Sequence, residues 1–137
     1  MISPVTIDAS VFVNAFSPAE EGSDSSLEFI NNLKKQGIPI ILPILVLPEI
    51  TAAIARKQNN TELALKLEQE IKLLSNATFV DVDGLLANLA VEVAAKHRLR
   101  GSDAVYAAVA LRFGTQLITL DREQLERLPK VLDVRAP

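Results

Sequence analysis

A helix that is apolar on almost every side leaves a chain few folds to choose from, and this chain carries one in Gly101-Ser102-Asp103-Ala104-Val105-Tyr106-Ala107-Ala108-Val109-Ala110. Ala104, Val105, Ala107, Ala108, Val109, Ala110 and Leu111 cover nearly its whole circumference, so other elements must pack around it on most sides. Gly114 stands where a C′ residue ends a helix. At the head of the segment is Asp103, and Gly-Ser-Asp is capping chemistry, because a short polar side chain accepts hydrogen bonds from the free N–H groups of the first turn. Asp103 therefore either caps the helix or is a carboxylate held at the mouth of a buried element for a chemical purpose.

What surrounds that helix follows from the rest of the chain. With 137 residues, 49% of them hydrophobic, the sequence suits one domain over residues 1–137, too short for two ordinary ones. Cysteine is absent, which excludes disulfides, thiolate catalysis and cysteine-based zinc sites, and the lone His97 excludes a multi-histidine metal site within one chain. The N-terminus has no basic segment followed by an apolar one, and the longest uncharged apolar run, residues 38–48, is short and holds three prolines. A soluble, cytoplasmic protein is expected. The net charge of −3 argues against non-specific coating of nucleic acid and leaves room for one local basic patch.

In chain order, Val5-Thr6-Ile7 reads as a strand that ends at Asp8, with a short helix expected over residues 11–16. Carboxyl ends of parallel strands face the crevice where ligands bind, so Asp8 either turns the chain or serves chemistry. Ser25 and Glu28 have capping-box spacing ahead of Leu27, Ile30 and Leu33, and Gly37 stops that helix. Residues 38–42 form an apolar strand, and residues 45–57 a helix in which Pro48 fits only the first turn, which puts Glu49 near its start. Asn59-Asn60-Thr61 ends this helix and caps the next, whose Leu63, Leu67, Ile71 and Leu74 recur at helical spacing; the two make a helical hairpin, with Leu65 on another side. Residues 78–82 give a third strand, and Asp83 caps a helix that closes in Lys96-His97-Arg98-Leu99-Arg100, the densest basic run of the chain. Lys96, Arg98 and Arg100 either complement the helix dipole or attract a polyanion. Residues 117–120 form the fourth strand and lead to Asp121, with Gln124 at capping-box spacing; Pro129 stops a last helix and residues 131–134 offer an edge strand. Strands alternating with crossover-length helices imply a three-layer α/β/α domain with a mainly parallel sheet.

Four carboxylates, Asp8, Glu49, Asp103 and Asp121, thus each fall at a strand's carboxyl end or a helix start. Crowded like charges disfavour one another's ionisation unless a cation compensates, and Mg²⁺ or Mn²⁺ is the hard cation suited to carboxylate and water ligands. Such a site activates water and stabilises the leaving oxygen of a phosphodiester, chemistry that needs neither Cys nor His.

At these residues the sequence resembles the PIN-domain nucleases, and among them the VapC-type toxins of toxin–antitoxin pairs. The resemblance spans essentially the whole chain and rests on Ile7-Asp8-Ala9-Ser10, Leu47-Pro48-Glu49-Ile50, Gly101-Ser102-Asp103-Ala104-Val105-Tyr106-Ala107-Ala108 and Thr119-Leu120-Asp121 in that order. It implies a PIN-like fold, Mg²⁺- or Mn²⁺-dependent RNA cleavage, a homodimer and an antitoxin whose tail blocks the site. Asp8, Glu49, Asp103 and Asp121 match the acidic catalytic and metal-binding set, with Ser10 and Thr119 as supporting hydroxyls. The chain departs from its relatives after Asp121, where Arg122-Glu123-Gln124-Leu125 replaces a further Asp and a Phe. A haloacid-dehalogenase phosphatase is rejected because Ser10 breaks its D-x-D pattern, and a response-regulator receiver because no second acid accompanies Asp8. The remaining alternative is a PIN-fold module that binds RNA or a partner without useful turnover.

Overall fold

The computed structural model describes residues 3–137. Five parallel strands, β1 (Val5–Ile7), β2 (Ile40–Pro43), β3 (Ala77–Val80), β4 (Gln116–Ile118) and β5 (Val134–Arg135), form one sheet in the order β3-β2-β1-β4-β5. Seven helices flank it among the described residues: α1 (Ala9–Ala15), α2 (Ser23–Gln36), α3 (Val46–Gln58), α4 (Thr61–Lys72), α5 (Gly84–His97), α6 (Gly101–Phe113) and α7 (Arg122–Arg127). The chain walks from β1 to β3 in one direction and then crosses back to β4 on the far side of β1. With the right-handed crossovers that parallel strands require, α1–α4 cover one face and α5–α7 the other. This is the expected α/β/α architecture, with every strand pairing parallel.

The apolar helix sits where its sequence demands. α6 packs across β1, β2 and β4 and against α5, with Ala104, Tyr106, Ala107, Ala108 and Val109 fully buried. Alanine keeps helix and sheet close, and Gly114 ends α6 at φ +65°, a left-handed geometry that favours glycine. The sheet contributes Ile7, Ile40, Leu42, Leu117 and Ile118, all buried and divided between its two faces, and Val11, Phe12, Ile50 and Ile54 are buried in α1 and α3 of the opposite layer. The α3–α4 hairpin forms as expected, and Leu65 lies exposed on it.

Two local expectations are corrected. Ser25 does not open a capping box: α2 begins at Ser23, after Gly22 in a left-handed conformation with no side-chain cap. Ser23 and Ser26 turn inward instead, their hydroxyls donating to the Ala15 carbonyl and to Asn14 Oδ1, which docks α2 on α1. Asp103 does not cap α6 either. The helix starts earlier, with Arg100 in the N-cap position and without any side-chain cap hydrogen bond. Asp103 is the third helical residue, and its carboxylate is turned to other work.

Candidate active site

The strand order reverses between β1 and β4, and their carboxyl ends open the crevice in which α/β sheets bind ligands. Asp8 follows β1 and Asp121 lies three residues beyond β4. The first turn of α3 brings Glu49, and the first turn of α6 brings Asp103. All four carboxylates line one open cavity of about 490 Å³, together with Ser10, Asn14, Glu20, Lys57, Arg100 and Ser102. Residues spread over more than a hundred positions are thus gathered by four separate elements.

Each acid is held differently. Asp8, almost fully buried, accepts the Ser10 backbone N–H at 3.0 Å through Oδ2 and the Gln124 amide at 3.3 Å through Oδ1. Asp121 caps α7 by accepting the Gln124 backbone N–H at 3.0 Å, so its capping role and its place in the cavity coexist. Glu49 Oε1 accepts the hydroxyl of Tyr106 at 2.6 Å. Among the four acids, Asp103 has an oxygen, Oδ2, buried with no hydrogen-bond partner, as is Oε1 of the neighbouring Gln124; the exposed Arg100 guanidinium reaches Asp103 at 3.5 Å as an ion pair and reaches Asp121 at 3.4 Å.

Crowding shows in the proton affinities. Burial above all, with the charges of Asp8 and Asp121 added, pushes Asp103 up to about 6, against partial relief from Gln124 and Arg100. Burial also raises Glu49 above the usual carboxylate range; Asp8 adds to this, and hydrogen bonds from Tyr106 and Ser102 oppose it. Tyr106 itself is held neutral, first by burial and then by the neighbouring Glu49 charge.

The hydroxyls named with the acids take structural positions. Ser10 lines the cavity and accepts the Leu120 backbone N–H at 3.1 Å, and the buried Thr119 hydroxyl accepts the Asp121 N–H at 3.0 Å. Together they fasten the segment after β4 to the start of α1. The basic run is divided. Arg100 stands at the acidic cavity, while Lys96 and Arg98 line a different groove with Arg127 and Lys130.

Several residues of the site carried no sequence signal of their own. Tyr106 stood within the α6 motif with no role attached to it, and Gln124 read as half of a capping box. Glu20 and Lys57 form an ion pair on the cavity wall, steadied by Asn14, whose amide donates to Glu20 at 3.2 Å. Spacing along α3 was the available clue for Lys57, since positions 49, 53 and 57 share one helix face.

The donor set suits a hard divalent cation. Five carboxylates, Glu20 included, line the cavity against Lys57 and Arg100, and one of them has a buried oxygen without a hydrogen-bond partner, so the protein's own cations only partly offset the negative charge. Among the described residues no three of these side chains stand close enough together to form a ready-made metal cage. Asp8, Asp103 and Asp121, linked through charge and through Gln124, are the residues that would hold an ion.

The PIN-domain family profile matches residues 5–131. Among solved structures, the chain is similar to VapBC2 from Rickettsia felis bound to a DNA fragment from its promoter, with a TM-score of 0.71 at 17% identity over 98% of this chain and 99% of that one. It is similar to FitAcB from Neisseria gonorrhoeae at TM-score 0.71 and 18% identity, covering 97% of both chains. It is also similar to VapC20 of Mycobacterium tuberculosis, a sarcin-ricin loop cleaving toxin, at TM-score 0.68 and 18% identity over 84% of this chain and 86% of that one. No curated protein matches the sequence. Identities this low speak for the fold, which the profile match over nearly the full length makes specific: the chain belongs to the PIN-domain family.

Proposed function

We propose that the protein is a Mg²⁺- or Mn²⁺-dependent endoribonuclease that hydrolyses RNA phosphodiester bonds at Asp8, Glu49, Asp103 and Asp121, and that it is the toxin of a toxin–antitoxin pair. The observation that carries this reading is the convergence of four carboxylates in one cavity, with a buried Asp103 oxygen lacking a donor. PIN domains are typically metal-dependent nucleases. Solved relatives include VapBC toxin–antitoxin complexes, which supports an antitoxin partner and, with the family resemblance, a homodimer in the cytoplasm. Among the described residues no helix is long and apolar enough to cross a membrane.

A bound divalent cation would supply the positive charge that activates water and stabilises the leaving oxygen. The chain's own residues do the rest. Asp8, Asp103 and Asp121 hold negative charge at the end of β1, the start of α6 and the end of β4. Glu49, with its raised proton affinity and its Tyr106 hydrogen bond, is placed to take or hold a proton. Ser10 and Thr119 keep Asp121 in register with Asp8. Arg100, largely exposed at the rim, can turn from the carboxylates to an RNA phosphate.

One observation favours the alternative of a PIN-fold module that binds RNA or a partner with little turnover. Arg100 already pairs with both Asp103 and Asp121, and a cation must compete with it. Incubation of end-labelled RNA with the purified protein separates the readings. Cleavage that requires Mg²⁺ or Mn²⁺ and stops in chelator is expected; RNA left intact at every metal concentration would leave only the binding module.

A further inference from the structure

The structure separates the basic run of the sequence into two places, and the second lies outside the acidic cavity. A groove of about 510 Å³ is lined by Lys96, His97 and Arg98 from the end of α5 and by Arg127, Pro129 and Lys130 from the end of α7. The Arg127 guanidinium donates to the Arg98 carbonyl at 2.5 Å, which ties the two helix ends together. Arg98 adopts the left-handed conformation at φ 54°, and the extended Arg100 two residues on turns the chain into the acidic cavity. α7 spans the same interval from the other side: Asp121 caps its start and Arg127 closes its six residues, a length of about 9 Å. The groove and the acidic cavity are therefore neighbours along one edge.

Charge and composition identify the ligand class. Four Lys and Arg side chains face the groove, against Glu126 in its wall and Glu123, which pairs with Arg127 at 3.4 Å. The carbonyl ends of α5 and α7 add fractional negative charge, so part of this basicity complements the two helix dipoles. The remainder is a local excess of positive charge on a chain whose net charge is −3. Docking surfaces for proteins centre on aromatic or aliphatic anchors and are poor in lysine. This groove has no large apolar side chain in its lining, His97 as its one aromatic ring, and two lysines. With His97 as its single aromatic platform against four Lys and Arg side chains, its contact with a nucleic acid would go mainly to the phosphates.

We propose that the groove formed by Lys96, Arg98, Arg127 and Lys130 is a backbone-binding site for single-stranded RNA, holding phosphates that flank the one presented to Asp103 and Asp121. This rests on the ribonuclease reading for the identity of the strand, and it separates affinity from chemistry: the acidic cavity acts on a bond, and the groove holds the strand on which the bond lies. Arg100 stands between the two.

The test is fluorescence anisotropy of a labelled single-stranded RNA of mixed sequence, titrated from low to moderate salt, in the Asp103→Asn background so that the probe survives. Each phosphate contact on a single strand contributes about 0.7 to the slope of log K against log salt. Lys96→Gln with Lys130→Gln should flatten the slope by about 1.4, which is about twenty-five-fold weaker binding at 0.1 M salt for curves that converge at 1 M. Lys35→Gln with Lys66→Gln removes the same charge from exposed positions on α2 and α4 and should leave the slope unchanged. Unchanged slope and affinity in the groove variant, with a lowered melting temperature, would return Lys96 and Lys130 to the helix dipoles and overturn the proposal. Unchanged RNA binding with lost binding of a polyglutamate peptide would overturn it in favour of an acidic protein segment. Failure of the ribonuclease reading has another signature: the parent protein leaves RNA intact with Mg²⁺ present, while the groove variants still change the slope.

Discussion

Replacement of Asp103 by Asn distinguishes a capping residue from a member of a crowded anionic site. The folded protein holds the Asp103 proton up to about pH 6, against an ordinary value of 3.8. A rise of about two units is worth on the order of 3 kcal/mol, and the side chain is only 14% exposed, so solvent screening reduces it modestly. The sign follows from linkage. The folded state binds this proton more tightly than the unfolded chain, so stability from it is fully present below about pH 4 and is lost as the pH rises through about 6. At pH 8 in chelator the ionised carboxylate is a liability, and Asp103→Asn removes it. The pairing with the exposed Arg100 is already contained in that net rise, so its loss is not subtracted again; only the screening discount applies. A net gain of about 2 kcal/mol remains, or roughly 5 °C in melting temperature for a domain of this size. Scanning calorimetry from pH 4 to pH 8 should show the variant melting above the parent at pH 8 and the two converging towards pH 4. With RNA and Mg²⁺, the same variant should lose at least about a hundredfold in cleavage, roughly 2.7 kcal/mol of transition-state stabilisation. A variant that melts below the parent at pH 8, or that cleaves normally, would refute the reasoning.

Three further outcomes are expected. Tyr106→Phe removes the donor to Glu49, should cost about 1–2 kcal/mol in urea denaturation, and should move the limb of the pH–rate profile assigned to Glu49 upward, because that hydrogen bond holds its proton affinity down. Asp83→Ala removes the α5 cap, which accepts the Leu86 N–H at 2.9 Å and does not line the acidic cavity; it should cost about 1 kcal/mol and leave cleavage per folded molecule unchanged. Gly114→Ala forces a side chain into a left-handed position at φ +65° and should lower stability by about 1 kcal/mol, read from the same denaturation curves.

The fold was legible because its signals are local and repeated. The strands read at 5–7 and 38–42, the second of which runs Ile40–Pro43 in the structure, the Pro48 constraint on α3, the Asp83 and Asn60 caps and the Gly37 and Gly114 stops all depend on neighbours in sequence. Where a serine had two local uses, tertiary packing decided: Ser23 and Ser26 face α1, and the box at Ser25 and Glu28 does not form. The acids were visible because a carboxylate at a strand end is conspicuous, and their crowding in one crevice followed from the parallel β/α alternation; which strands adjoin there was not visible, since it depends on the strand order reversing at β1. Tyr106 was hidden by its role. A hydroxyl that serves one carboxylate looks, along the chain, like any buried aromatic. Lys96 and Arg98 read as one cluster with Arg100, and only the left-handed turn at Arg98 parts them.

Equilibrium titration with Mn²⁺, followed by the electron paramagnetic resonance of the free ion, tests most directly whether the four carboxylates act as one cation site. The parent should bind Mn²⁺. Asp8→Asn, Asp103→Asn and Asp121→Asn should each weaken binding at least about tenfold, about 1.4 kcal/mol, while Asp83→Ala should bind as the parent does. A parent that leaves all the ion free, or carboxylate variants that bind as tightly as Asp83→Ala, would contradict the account.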